Sequence, residues 1–469
     1  MQGRQIELLR FLPKHYNNYM IKLTKEVIEL MKKFRENKFQ IYLVGGAVRD
    51  ALLNKKVDNF DFTTNATPEQ IQKLFPDSFY NNIYGTVSIP VETQNFASLQ
   101  KIVFEITPFR TESDYSDSRH PEKIEWAKTI EEDLSRRDFT INSMAFDGLI
   151  IIDPYKGQND LKNKLIKAVG DPDIRFNEDA LRLLRAVRFT SQLGFLIEEK
   201  TKESIQKNAG LITKVSAERI RDEFFKILGS QHPSEGILFL KNTGLLSLIL
   251  PEVDICFTVP QKSPNRHHVY DVGTHLIMAL KHCPSKDIIT RFATLIHDIG
   301  KAETFRKDDK TGLITFYNHE VVSKKQAEKI ANRFRLSNKQ KGKLVTLVGE
   351  HQFTVSENQT DKAVRRFIKN VTKEYLQDML DLRTGDRIGS GAAPTSWRTE
   401  LFKKRLEEVQ KQPFSIKDLK VDGNDIMKTL KIKPGKKIGE ILKNLFDQVV
   451  DGKIKNEKHS LLKQITLIN

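Results

Sequence analysis

LVGGAVRDALLNKKVDNFDFTTNATPEQ, from Leu43 to Gln70, is the stretch whose reading decides the fold. Ile41, Tyr42, Leu43 and Val44 form a short apolar strand that ends in Gly45-Gly46. Glycine reaches backbone geometries closed to other residues, so a phosphate could approach the main chain there. A helix follows, and then a second strand in which Asn59, Asp61 and Thr63 alternate with Phe60 and Phe62. Alternate side chains of a strand leave on opposite faces, which predicts aromatics in a core and the polar set in a cleft. Carboxylates spaced by one residue on a strand can hold magnesium between them, as phosphoryl or nucleotidyl transfer requires. A solvated strand edge after an ordinary turn is the plainer alternative for either motif alone.

Around this unit the chain is long. Its 469 residues exceed one core and predict several domains, with 39% hydrophobic and 29% charged residues pointing to a soluble protein. No run is long and apolar enough to cross a membrane, and the N-terminus lacks a signal-peptide core, so the expected location is cytoplasmic. Cys256 and Cys283 are too few and too far apart for a disulfide framework or a cysteine zinc cluster. The net charge of +16 favours a polyanionic partner such as nucleic acid, although a lysine-rich composition can also mark the source organism.

Residues up to about 38 read as helical. YGTVSIPV and KIVFEITPF read as strands, and Glu105 falls on the face opposite Ile102, Phe104 and Ile106, where its carboxylate could join the cleft. RTESDYSDSRHPEKIEW has no steady period and is expected to be a mobile loop. A hairpin is expected around Asp147-Gly148, and from about Asp171 the pattern becomes helical, with Gly194 a C-terminal stop and Ser216 a weak capping candidate. Fold class is therefore α+β: a small β-sheet head with helices, then an elongated all-α neck, histidine-bearing domain and tail.

Two motifs follow the polar loop. Arg136, Arg137 and Asp138 place paired guanidinium donors and a carboxylate together, suited to phosphate oxygens and ribose hydroxyls; a surface turn is the common alternative. In EDALR, Glu178, Asp179 and Arg182 are spaced to share one helix face. An aspartate beside an arginine presents acceptors and donors like a base edge, whereas a surface salt bridge would be worth little.

In family order, LVGGAVRD, FDFTTNATPEQ, RRDFTIN, DPYKG, EDALRLLRAVRF, SAERI, VDGNDIM and IKPGKKIGEIL resemble the class II tRNA nucleotidyltransferases, the CCA-adding enzymes, and the related bacterial poly(A) polymerases. The resemblance implies untemplated transfer of CMP and AMP from CTP and ATP to a tRNA 3′ end, with magnesium as cofactor. It assigns Gly45, Gly46 and Arg49 to the nucleotide, Asp61 and Asn59 to magnesium, and Glu105 to support of the catalytic site. Arg136, Arg137 and Asp138 would handle ribose and phosphate, while Glu178, Asp179 and Arg182 match the amino-acid template, with Asp179 and Arg182 pairing the incoming base. The stretch from Asp114 to Pro121 resembles the flexible loop used in switching from C to A addition.

The family has aspartate where this chain has Asn59, and an amide brings no charge to the metal, which implies weakened or abolished transfer. Asp58 is adjacent and could substitute if the strand carries a bulge. HDIGKA resembles the HD metal-dependent phosphohydrolases, matching His275, His297, Asp298 and Asp386 to a divalent metal, with His319 and His351 as further ligands of two-metal members. Lys431, Lys433, Lys436 and Lys437 lie in what resembles the family's tRNA-binding tail, a solvated face being the alternative.

The expected organisation is an N-terminal helical segment over 1–37, the transferase head over 38–155, a helical neck over 156–230 and a helical body over 231–272. The HD domain is expected over 273–388 and the tail over 389–469. A poly(A) polymerase, and a tRNA-binding head without transferase activity beside a working hydrolase, are the competing readings.

Overall fold

The structure is a computed structural model describing residues 21–57, 59–80, 85–92, 101–115, 121–261, 270–353, 355–410, 416–450 and 453–467. Asp58, the expected bulge position, and the centre of the polar loop at 116–120 lie outside the described residues. The chain divides into two compact units, residues 1–248 and 249–469, and this boundary falls inside the segment 231–272. Among the described residues no helix is long and apolar enough to cross a membrane.

The first unit opens with helix α1 (Lys25–Glu36), capped by Thr24 and burying Val27, Leu30, Met31 and Phe34 along one stripe. Strand β1 (Ile41–Val44), helix α2 (Gly46–Leu52) and strand β2 (Asp61–Thr64) form the expected strand-helix-strand unit. Helix α3 (Pro68–Leu74) begins at a capping box between Thr67 and Gln70. Strands β3 (Phe79–Tyr80), β4 (Val87–Glu92) and β5 (Lys101–Pro108) follow.

Where a loop was expected, β6 (Arg110–Tyr115) and β7 (Pro121–Trp126) pair as an antiparallel hairpin. The sequence misled because its polar residues show no hydrophobic alternation from which a strand could be read. Helix α4 (Ile130–Ser135) leads to β8 (Ala145–Phe146) and β9 (Ile151–Ile152), whose pairing is the hairpin expected around Asp147-Gly148.

The main sheet has the order β3-β4-β5-β2-β1-β8-β9. Its β2–β5 pair is parallel and aligns Asp61 with Glu105. One face packs Phe62, Phe104, Ile106, Leu43 and Phe146 against α1, and Phe62 and Phe104 meet edge to face. Val44, Phe109, Ile130, Leu134 and Ala145 form a smaller core behind the other face.

Helix α5 (Gly157–Lys162) precedes α6 (Pro172–Glu178), which is capped by Asp171, and α7 (Leu181–Leu193), which is stopped by Gly194 at φ 69°. Asp179 lies between α6 and α7 with extended backbone (φ −139°, ψ 103°), so EDALR spans a helix break rather than one helix face. Helices α8 (Glu199–Asn208), α9 (Ala217–Leu228) and α10 (Pro233–Asn242) complete the unit, with α9 and α10 packed on α7.

The second unit is helical apart from a short antiparallel strand pair, Arg306–Lys307 with Ile314–Thr315, which departs from the all-α expectation. Its centre is α11 (Val272–His282), α12 (Ile288–Ile296), α13 (His319–Arg333), α14 (Asn338–Glu350), α15 (Asp361–Val371) and α16 (Leu376–Gly389). Gly385 and Gly389 let α16 press onto α11: a Cβ at Gly385 would lie 2.5 Å from the Ala279 carbonyl oxygen. Helix α17 (Trp397–Gln410) leads to α18 (Gly423–Leu430), α19 (Lys436–Val450) and α20 (Lys458–Thr466), whose core is Ile426, Ile441, Leu445, Leu461 and Ile465.

Candidate active site and histidine cluster

A cavity of about 810 Å³ opens in the first unit where β1, β2, α4 and the α6–α7 break converge. Gly45, Gly46, Arg49, Asn59, Asp61, Arg136, Arg137, Asp138, Asp179 and Arg182 line it. Gly45 has φ +66°, a backbone conformation that favours glycine, and a Cβ there would lie 2.9 Å from Arg137 Nη1 and displace that guanidinium. At Gly46 a Cβ would meet only ordinary contact with Arg49.

The acidic strand behaves as expected for Asn59 and Asp61, both exposed to the cavity. Thr63 departs: it is buried, and its hydroxyl donates to the Thr107 carbonyl at 3.0 Å, tying β2 to β5. The concave walls around Asp61 raise its carboxyl above the usual range, and Arg137 pulls in the opposite direction. Glu105 stands in register beside Asp61 and is exposed, but it is outside the cavity lining.

The RRD motif rests on residues that carried no sequence signal. Asp133, one turn earlier on α4, is wholly buried. Its Oδ1 accepts from Arg136 Nη2 at 2.8 Å and its Oδ2 from Arg137 Nη2 at 3.1 Å. Burial opposes its ionisation, yet the two guanidinium groups hold its carboxyl below the usual range.

Asp138 is likewise buried, and burial again works against the charge. Arg185, donating from Nε at 2.8 Å and Nη2 at 2.5 Å, and the Asn142 amide outweigh it and hold the carboxyl down at about 2. Asn142 continues the chain of polar contacts, accepting from Arg49 Nη1 at 2.7 Å, while Arg49 also grips Asp50 through two 2.9 Å bonds. Arg188, buried against the Phe189 ring, is lowered to about 10 by burial. With Lys56, Arg110 and Arg219, these groups make the cavity strongly cationic.

Asp179 and Arg182, expected side by side on one helix face, are each held by a different partner. Arg182 Nη1 donates to Glu178 Oε2 at 2.6 Å and Nη2 to the Arg136 carbonyl at 2.8 Å, while Asp179 is held by Arg219 at 2.9 Å. The break at Asp179 turns its side chain away from the helical register that the spacing implied. Both still line the cavity, whereas Glu178 lies outside its lining and braces Arg182 and Arg175. Arg219, Arg185 and Arg188 would have been found by tracing arginines along the helices after RRD.

In the second unit all six expected residues converge. Nε2 of His275 and of His297 each lie 3.4 Å from Asp298 Oδ2, and 3.4 and 3.6 Å from Asp386 Oδ1. The other oxygen, Asp298 Oδ1, faces His319 Nε2 at 3.1 Å and His351 Nε2 at 3.3 Å. Three of these rings are fixed from behind, with Nδ1 donating to a backbone carbonyl: His297 to Thr294, His319 to Phe316 and His351 to Val348, at 2.8, 2.9 and 2.7 Å. Each bond sets the tautomer that leaves Nε2 as an acceptor aimed into the cluster. His275, His297 and Asp386, and separately His297, Asp298 and His351, bring donor atoms close enough to share an ion. Buried imidazoles oriented in this way fit a divalent metal better than a core packing role.

Comparison with known proteins agrees with the architecture. Residues 41–167 match the "Poly A polymerase head domain" model and residues 194–256 the "Probable RNA and SrmB- binding site of polymerase A". Residues 304–465 match tRNA nucleotidyltransferase domain 2. The CCA-adding enzyme of Ligilactobacillus salivarius is 31% identical over 444 residues, covering 93% of this chain and 95% of the relative. That of Enterococcus faecalis is 32% identical over 448 residues, covering 93% and 94%. The fold is similar to the Bacillus stearothermophilus CCA-adding enzyme in complex with CTP, with TM-score 0.69 and 24% identity over 97% of this chain and 98% of that one. It is also similar to the Thermotoga maritima enzyme complexed with tRNA-CCA, with TM-score 0.59, 19% identity and coverage of 96% and 97%. The near full-length similarity to curated relatives shows that this chain belongs to the CCA-adding enzyme family.

Proposed function

We propose that this protein is a cytoplasmic tRNA nucleotidyltransferase that builds CCA at tRNA 3′ ends from CTP and ATP. The observation that carries this is the single cavity whose lining includes Gly45, Asp61, Arg137 and Asp138 together with Asp179 and Arg182. Its arginines suit a triphosphate, and Asp179 and Arg182 offer an acceptor and a donor to a base edge. The tRNA 3′-hydroxyl attacks the α-phosphate of the nucleotide, a new P–O bond forms, and pyrophosphate departs as the bond to the β-phosphate breaks.

Asp61 and Asn59 supply one carboxylate and one amide oxygen. That set fits a magnesium ion delivered with the nucleotide's own phosphates better than one held by protein alone. Magnesium there would neutralise charge building on the phosphate oxygens. Arg136 and Arg137, fixed by Asp133, hold the triphosphate; Asp138, held by Arg185, accepts from ribose hydroxyls; Asp179 and Arg182 select the base. This is mainly positioning and electrostatics. Asn59 leaves the site one charge short and makes transfer slower than an Asn59→Asp protein would achieve. A tRNA lacking its 3′ end, incubated with labelled CTP and ATP, tests the proposal: a defined CCA end supports it, and a long A tail supports a poly(A) polymerase instead.

The exposed Lys431, Lys433, Lys436 and Lys437 contribute contacts to tRNA phosphates. Their replacement by alanine should flatten the salt dependence of tRNA binding, and an unchanged slope would exclude them.

A second reading rests on the histidine cluster. His275, His297, Asp298, His319, His351 and Asp386 would hold one or two divalent ions, which would supply an activated water to a phosphoester. Lys301, with Nζ 2.5 Å from Asp298 Oδ2, and Arg383, 3.2 Å from Asp386, stand ready for phosphate oxygens. Metal-dependent hydrolysis of a 2′,3′-cyclic phosphate, lost in Asp298→Ala, tests it.

A further inference from the structure

Arg383 and Arg387, one turn apart on α16, line two neighbouring cavities. One, of about 530 Å³, contains Asp298, His319, His351 and Asp386. The other, of about 480 Å³, is bounded by Phe353, Trp397 and Arg398. Each presents a large aromatic side chain to solvent, Tyr317 at 78% exposure in the first and Trp397 at 63% in the second. Neither ring serves a core. Arg398 is anchored to Glu357 at 2.8 Å and lies over the Trp397 ring at 5.1 Å. Arg387 is braced by the Ala393 and Thr395 carbonyls, which orient its guanidinium between the cavities.

Alternating aromatic platforms and guanidinium groups are the chemistry that holds a single nucleic-acid strand. We propose that the paired cavities form a track for the 3′ end of single-stranded RNA, resting on the hydrolase reading of the histidine cluster. The terminal phosphate lies at the cluster with its base on Tyr317. The preceding phosphodiester passes Arg383 and Arg387, and the preceding base stacks on Trp397. A free mononucleotide would fill the first cavity and leave the second aromatic without use, so the arrangement favours an oligonucleotide end.

Trp126 and Trp397 are the two tryptophans, so Trp126→Phe leaves Trp397 as the sole indole reporter. Metal-free protein of this form is titrated with a short single-stranded RNA bearing a 3′-phosphate, and with a nucleoside 3′-monophosphate. The track predicts saturable quenching of Trp397 emission by the oligonucleotide at about tenfold or more lower concentration, weakened about tenfold by Tyr317→Ala. A second measurement avoids the Trp126 substitution. In metal-loaded protein, Trp397→Ala should shift the ratio of KM for an RNA ending in 2′,3′-cyclic phosphate to KM for the cyclic mononucleotide about tenfold. Emission unmoved by the oligonucleotide, or quenched equally by the mononucleotide, overturns the track, as does an unshifted KM ratio. If the native metal-loaded protein also leaves bis(p-nitrophenyl) phosphate intact while Trp397 is quenched, the hydrolase reading fails and the strand site stands.

Discussion

Asp179 is paired with Arg219, whose Nη2 lies 2.9 Å from Oδ2, while the neighbouring Arg182 is turned to Glu178. The acceptor and donor proposed to read the base are therefore each held by a different partner. Asp179→Ala and Arg182→Ala should each lower discrimination of CTP and ATP against UTP and GTP by about tenfold or more. Single-nucleotide incorporation with each triphosphate measures this; unchanged selectivity in both variants would remove the pair from base reading.

Asp133 is the keystone under the phosphate-binding arginines. Asp133→Asn leaves the half-buried Arg136 and Arg137 beside a neutral partner, and should destabilise the first unit by about 2–3 kcal/mol. Urea unfolding checks the stability, and nucleotide binding should weaken with it. A loss below about 1 kcal/mol would mean that solvent screens these arginines.

Asp138 carries a pH signature. Its folded-state carboxyl is depressed from 3.8 to about 2, so its stabilisation is complete above about pH 4 and is lost as pH falls through 2. The shift corresponds to about 2 kcal/mol. Stability measured between pH 6 and 2 should fall less steeply in Asp138→Asn, the two curves converging at the acid end; parallel curves would contradict the assignment.

The histidine cluster should bind metal independently of transfer chemistry. Asp298→Ala removes a carboxylate whose two oxygens face different histidine pairs. Bound transition metal after dialysis should drop by at least about tenfold, while CCA addition persists. Unchanged metal content would show that the cluster is not the metal site.

Much of this was legible in the sequence because the decisive segments obey local rules. The Ile41–Val44 run, Gly45 at φ +66° and the alternation through Phe62 fix a strand-turn-helix-strand unit without tertiary information. The six dispersed cluster residues were identified by family pattern, since nothing local predicts that α11 and α16 meet through Gly385. What escaped depends on packing or on missing periodicity. The sequence of the β6–β7 hairpin has no hydrophobic alternation, and the helix break at Asp179 sits in a segment whose spacing suits a continuous helix. Arg185 and Arg219 look like ordinary surface charges until the fold places them around the cavity, and Asp133 until it is buried against Arg136 and Arg137.

The measurement that bears most directly on the account is CCA addition by the native and Asn59→Asp proteins, each given magnesium, labelled CTP and ATP, and tRNA lacking its 3′ end. The account predicts a defined CCA end from the cavity around Asp61, formed at least about tenfold faster by Asn59→Asp because a second carboxylate joins the metal site. Equal rates would contradict the role given to Asn59, and the absence of C and A incorporation by both proteins would contradict the transferase itself.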